Sequence, residues 1–180
     1  MKRQKTFIRT AVMAIAVAAV AFSVQSCESN SYKVFSNKYR VQFSADLSLP
    51  PFNQAADTPG RFITVRRFAG KLTVTDPDGN STDVELTRQQ DMVFQMGLAG
   101  LILGKPALDN DRMEMFAYDL GCPECDVELY RLSVSIDGFA TCEHCHNKWT
   151  LTDGFCVTGE SRPLYRYRTY VSGQQLTVSN

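Results

Sequence analysis

The sequence predicts an all-β fold, a small sandwich or barrel, and three observations carry that expectation. Short runs alternate apolar and polar residues, as in Tyr39 to Phe43 and Glu128 to Ile136, the period of a half-buried strand. Other runs, Arg61 to Phe68 and Lys71 to Thr75, are rich in β-branched residues, which suit a pleated surface. Turn formers such as Asp137-Gly138 and Asp153-Gly154 separate the runs, at the spacing of roughly 8 to 12 residues that marks all-β domains.

The 180 residues amount to about one domain by length, and the first 26 lie outside it. Lys2, Arg3, Lys5 and Arg9 form a positive start, followed by an unbroken apolar run from Ala11 to Phe22. Such a run falls short of the roughly 18 to 20 residues a membrane span needs, so residues 1–26 are expected to be a signal peptide. The run ends at Val24-Gln25-Ser26-Cys27, a small residue directly before a cysteine. This resembles a bacterial lipobox, whose cysteine is lipid-modified and becomes the mature N-terminus. Gln25 departs from the small or aliphatic residue usual there. The resemblance implies lipidation of Cys27, residues 27–31 as a tether, and a location on the bacterial cell envelope, anchored to a membrane. An ordinary secretory peptide is the alternative.

The domain then spans 32–180. After the strand around Tyr39 to Phe43, the stretch Leu49-Pro50-Pro51-Phe52 through Pro59-Gly60 is expected to be loop, because its prolines break a ladder. Strands at 61–68 and 71–75 follow. Asp76-Pro77-Asp78-Gly79-Asn80 is a turn, with Pro presetting φ and Gly taking a positive one, and Ser81 to Leu86 returns the chain. Residues 88–96 suggest a short helical turn. Gly97 to Gly104 suggests an apolar strand whose glycines permit close backbone approach. Met113 to Leu120 leads into the first cysteine pair, and Phe139-Ala140-Thr141 into the second. Trp149 to Leu151, Tyr165 to Val171 and Leu176 to Val178 complete the strands. Tyr165, Tyr167 and Tyr170 cannot share one strand face, so part of this set is surface.

The whole chain balances 19 basic against 19 acidic side chains. Without residues 1–26 the count is 15 against 19, a formal net charge of −4. No Lys/Arg run survives, which argues against nucleic acid as a partner. Membrane association is expected from the lipid rather than from a basic face. Nothing in the sequence names a protein or ligand partner.

Two cysteine pairs carry the chemistry: Cys122-Pro123-Glu124-Cys125 and Cys142-Glu143-His144-Cys145, with sixteen residues between them. Each C-x2-C turn aims two sulfurs at one locus, and two such turns supply a tetrahedron of thiolates. Zinc and iron centres are the candidates for that donor set. Disulfides are the alternative in an oxidising compartment. A redox dithiol is weaker, since neither pair opens a helical pattern. Five cysteines follow Cys27, an odd number that leaves Cys156 over, as a buried thiol behaving like a small hydrophobe. His144 and His146 are the only histidines. With four thiolates filling a tetrahedron, both are expected to be exposed loop residues or donors to sulfur. Glu124 is a minor candidate ligand, and Trp149 is expected to pack beneath the second loop.

From Phe116 onward the residues resemble the Rieske domain. Ala117-Tyr118-Asp119-Leu120-Gly121-Cys122-Pro123, then Cys142-Glu143-His144-Cys145-His146-Asn147-Lys148-Trp149, then Asp153-Gly154, and finally Pro163-Leu164 through Tyr167, Val171-Ser172-Gly173, Leu176 and Val178 follow that family's order. The resemblance covers about 65 residues. It implies a Rieske-like β domain whose metal loops, 121–127 and 141–149, form a zinc-ribbon-like subdomain. A Rieske centre takes two cysteines and two histidines, whereas here Glu124 and Cys145 occupy the histidine places and Cys125 supplies the fourth sulfur. The family's high-potential mixed-ligand cluster is therefore not expected. Zinc on Cys122, Cys125, Cys142 and Cys145 is favoured, with a single iron or an all-cysteine [2Fe–2S] cluster as alternatives. Asp126 and His146, each following a knuckle, are expected in the left-handed backbone region. No general acid, base or nucleophile constellation stands out, so a binding or structural module is expected, or an electron carrier, rather than an enzyme.

Overall fold

Strands dominate the described residues, 34–107 and 114–180, of the computed structural model. In chain order the elements are β1 (Val41–Asp46), α1 (Asn53–Asp57), β2 (Phe62–Phe68), β3 (Lys71–Thr75), β4 (Ser81–Glu85), α2 (Arg88–Val93) and β5 (Gln95–Met96), followed by β6 (Leu101–Gly104), β7 (Phe116–Asp119), β8 (Leu132–Val134), β9 (Phe139–Cys142), β10 (Lys148–Thr150), β11 (Arg166–Ser172) and β12 (Gln175–Ser179). They belong to the unit Tyr32–Asn180. The expected signal peptide (1–26), Cys27, the expected 27–31 tether and Met113 lie outside the described residues.

Nine strands form one antiparallel sheet in the order β4-β3-β2-β6-β7-β11-β12-β1-β5, and β10-β9-β8 form a second, three-stranded one. Alternation explains why the large sheet curls. Val41, Phe43 and Ala45 of β1 and Leu176 and Val178 of β12 point to the same core as Ile63 and Val65 of β2, Leu72 and Val74 of β3, and Leu101 and Leu103 of β6. One face of the sheet thus closes on itself, as an all-β barrel does.

The central strands bury both faces. Ile102, Phe116 and Tyr118 point away from the first core and meet Leu132, Ala140 and Trp149 of the small sheet, with Leu151 just after β10, in a second core. Strands β6 and β7 are accordingly buried at every position, which is why Leu101-Ile102-Leu103 and Phe116-Ala117-Tyr118 lack polar alternation. Tyr118 donates from its hydroxyl to Leu151 O at 3.3 Å, and Trp149 donates from Nε1 to Arg162 O at 2.9 Å. Each satisfies the polar end of a buried ring.

Three local expectations need correction, the first being Glu128 to Ile136, which is strand only at Leu132–Val134. The stretch 49–60 holds the short helix α1, since Asn53-Gln54-Ala55-Ala56-Asp57 follows the prolines and buries Ala55 against the first core. Gly97 to Gly104 is strand only from Leu101. Its first half is a turn, with Gly97 at φ +70° and Gly100 at φ +128°, a backbone that side chains resist. The helical turn at 88–96 is α2, closed by a capping box in which Thr87 and Gln90 satisfy one another's backbone amides. The Asp76 turn stands as expected: Asp76 Oδ1 accepts from the amides of Asp78 and Asn80 at 3.0 and 2.9 Å.

Candidate metal centre

Both knuckles are tips of antiparallel arms. Cys142 to Asn147 form the turn between β9 and β10, whose first rung pairs Lys148 with Thr141. The first arm leaves β7, bridges Gly121 to Arg131, and carries Cys122 and Cys125 at its end. The two turns are alike bond for bond. Asp126 N donates to Cys122 O at 2.9 Å, and His146 N to Cys142 O at 3.0 Å. Asp126 and His146 end the turns in the left-handed region, at φ +57° and +59°, as the sequence led us to expect.

This geometry brings four sulfurs together. Cys122 Sγ lies 3.6 Å from Cys145 Sγ, and Cys125 Sγ 3.8 Å from Cys142 Sγ. All four lie within 4.8 Å of one another. A tetrahedral ion with metal–sulfur bonds of about 2.3 Å has sulfur–sulfur edges of about 3.8 Å. The described cysteines are all free thiols, and these separations are far from the bonded distance of about 2.05 Å. The donor set therefore fits one soft or borderline ion. Cys122 and Cys142 are buried while Cys125 and Cys145 are half-buried, so one side of the cluster is open.

Burial raises the pKa of Cys122 well above the ordinary thiol value and pushes Cys125 up to about 11. At Cys142 burial again acts upward, but the backbone N–H groups of Cys145 and His144 and neighbouring thiols bring it below the ordinary value. A cation held there would favour the thiolate form of all four cysteines.

His144 is exposed, stacks on Tyr130 at 3.8 Å between ring centroids, and places Nδ1 3.4 Å from Cys125 Sγ. It is thus an exposed neighbour of sulfur outside the four-cysteine group. Glu124 turns away: its Oε2 accepts from Ser161 Oγ at 3.0 Å and lies 4.0 Å from Arg162 Nε. Cys156 is half-buried rather than buried, because it lies on the bridge to Trp149 near the end of β10, with its sulfur 3.6 Å from Thr158 Oγ1. Trp149 is fully buried beneath the second loop.

Two carboxylates that sequence reasoning did not single out as functional hold the first arm in place. Asp119, buried at the end of β7, accepts from Leu98 N at 2.6 Å, Ala99 N at 3.2 Å, Gly121 N at 2.6 Å and Tyr167 Oη at 2.6 Å. Burial raises its pKa, opposed by these four donors. The carboxylate so ties the 97–100 turn to the residue preceding Cys122. Gly97 is required there, since a Cβ would collide with the Asp119 carboxylate and approach Tyr167 Oη to 2.7 Å. Asp126, directly after Cys125, accepts from Tyr39 Oη at 2.8 Å and Tyr165 Oη at 2.7 Å and pairs with Lys38. The Lys38 bond, followed by those from the tyrosines, holds the Asp126 carboxyl at about 2, below the usual range. The sequence signals were the Ala117-Tyr118-Asp119 string for Asp119 and, for Asp126, only its left-handed place after the first knuckle.

Compared with known proteins, the chain matches no family model and no curated protein.

Proposed function

We propose that this chain is an exported, lipid-anchored protein of Rieske-like fold in which Cys122, Cys125, Cys142 and Cys145 hold a single metal ion, zinc in preference to iron. In this reading the ion is structural, fixing two loops of a binding module on the bacterial cell envelope, with Cys27 as the membrane anchor and no catalytic role. One observation carries the reading: four sulfurs lie mutually within 4.8 Å at the tips of two matching turns. A [2Fe–2S] cluster divides its thiolates between two irons, which spaces sulfurs of opposite pairs beyond the edges of one tetrahedron. Closed four-thiolate sites are typical of structural zinc.

A second reading, electron transfer through a single iron, draws on a different feature. Backbone N–H groups approach Cys122 and Cys142, His144 approaches Cys125, and the cluster is open on one side. Hydrogen bonds to sulfur and solvent exposure both tune the potential of iron–thiolate sites.

Metal analysis and visible absorption of anaerobically purified full-length protein separate these readings. One equivalent of zinc in a colourless protein is expected. Stoichiometric iron with a reversible one-electron couple would replace zinc by the electron-transfer reading. A folded, metal-free protein with two disulfides by mass spectrometry would remove the metal altogether.

A further inference from the structure

A cleft of about 280 Å³ opens between the exposed end of β2, the 97–100 turn and the arm behind the first knuckle. Its charge is at odds with the rest of the domain. The chain beyond residue 26 is formally negative, yet Arg66, Arg67 and Arg131 line this one cleft, with Glu128 as its acidic member.

The three guanidinium groups are not equally engaged. Arg67 is tied down: its Nη1 donates to Asp91 O and Phe94 O, both at 2.7 Å. Arg131 is not satisfied. Its Nη2 reaches Glu128 Oε1 only at 3.8 Å, and its Nε is buried without a hydrogen-bond partner. That Nε is out of a ligand's reach, but the Arg131 side chain keeps 33% of its surface exposed and lines the cleft. Arg66 is exposed and forms no hydrogen bond or ion pair among the described residues. The backbone does not compete for a ligand here, because the amides of Gly97, Leu98, Ala99 and Gly100 already bond to Arg40 O, Asp119 and Met96 O. Only the guanidinium groups are left to bind.

We propose that this cleft binds a small soluble anion, with its carboxylate or phosphate head between Arg66 and Arg131 and its apolar part against Met96 and Leu98. The planar fork of arginine matches both head groups in a bidentate manner. The volume, at the lower end of small-molecule sites, restricts the ligand to a compact one. The site is separate from the four thiolates and does not rest on which metal they hold.

The test is titration of metal-loaded full-length protein, in neutral detergent micelles, with inorganic phosphate and with succinate, followed by calorimetry and by NMR shifts of the 97–100 amides. Saturable binding of at least one probe is expected, with shifts confined to the cleft. Arg66→Gln and Arg131→Gln should each weaken it by roughly tenfold or more, as loss of a charge-assisted bidentate pair implies, while Lys148→Gln leaves it unchanged. Arg66→Gln keeps the test decisive should Arg131→Gln disturb the arm, since Arg66 is exposed on β2; its retained metal content verifies folding. The proposal is overturned by absence of saturable binding for both probes, by binding that both substitutions leave intact, or by binding seen only with anionic phospholipid vesicles.

Discussion

Replacing Asp119 with Ala tests how the barrel holds the first metal arm. The substitution leaves four donors, the amides of Leu98, Ala99 and Gly121 and the Tyr167 hydroxyl, facing a void. Each orphaned buried donor costs about 1–3 kcal/mol, a figure that applies in full to Gly121 N and Tyr167 Oη and less to the part-buried amides of Leu98 and Ala99. The four share one acceptor group and do not add in full, so the expected loss is roughly 4 kcal/mol, at the extreme end for single substitutions. Asp119→Asn should cost about half as much, because the amide retains one accepting oxygen but turns an NH2 toward the remaining donors. Tyr167→Phe removes one of four donors and leaves the carboxylate otherwise satisfied, so about 1 kcal/mol is expected. Urea unfolding of metal-loaded protein measures the series. Hydrogen exchange at Leu98, Ala99 and Gly121 locates the effect, and all three amides should lose protection in Asp119→Ala. A loss below about 1 kcal/mol, or a Tyr167→Phe variant as damaged as Asp119→Ala, would mean that packing rather than this carboxylate holds the arm.

Three further outcomes concern the thiolates, Cys27 and Asp126. Serine at any one of Cys122, Cys125, Cys142 or Cys145 should lower metal occupancy and thermal stability together, since binding is linked to folding; occupancy lost with stability unchanged would contradict that linkage. Labelled fatty acid should enter the wild-type protein and not Cys27→Ala, and equal labelling of both would refute the anchor. The Asp126 carboxyl, held at about 2 chiefly by its Lys38 bond, lies below the roughly 3.9 of a free aspartate, so its stabilisation is complete well above that value and is lost as pH falls from there toward 2. The stability difference between wild type and Asp126→Asn, measured by denaturation across pH, should therefore be flat near neutrality and close on acidification; a gap that widens in acid has the wrong sign.

Much of the barrel was legible because its signals are local. The alternation of Tyr39, Val41 and Phe43, the β-branched runs of β2 and β3, and the Asp76 turn each reflect neighbours within a few residues. The misjudged segments depend on contacts made far along the chain. Leu49 to Gly60 looks like loop by its prolines, but Ala55 gains from burial under the sheet, and that burial favours a helical turn no local pattern announces. Gly97 to Gly100 looks like strand by its apolar content. It turns because Asp119, some twenty residues later, receives two of its amides. Cys156 could be counted but not placed, since its half-buried position depends on the bridge to Trp149.

The candidate site divides along the same line. Four thiolates were visible because a C-x2-C turn fixes two sulfurs within one loop, and the left-handed residues after each turn needed only backbone sterics. What brings the two turns together is tertiary. The first knuckle is tied to the barrel by Asp119 on one side and by Asp126 with Tyr39, Tyr165 and Lys38 on the other. The second is the tip of a three-stranded sheet seated through Trp149 and Leu151 on Tyr118 and Phe116. The barrel therefore supports each arm separately, and the two supports bring the four sulfurs within 4.8 Å of one another. An ion taken up there would add stability by joining the two supported arms. On this argument, weakening a support such as Asp119 should raise the rate of metal release to a chelator before it changes the metal that the site prefers.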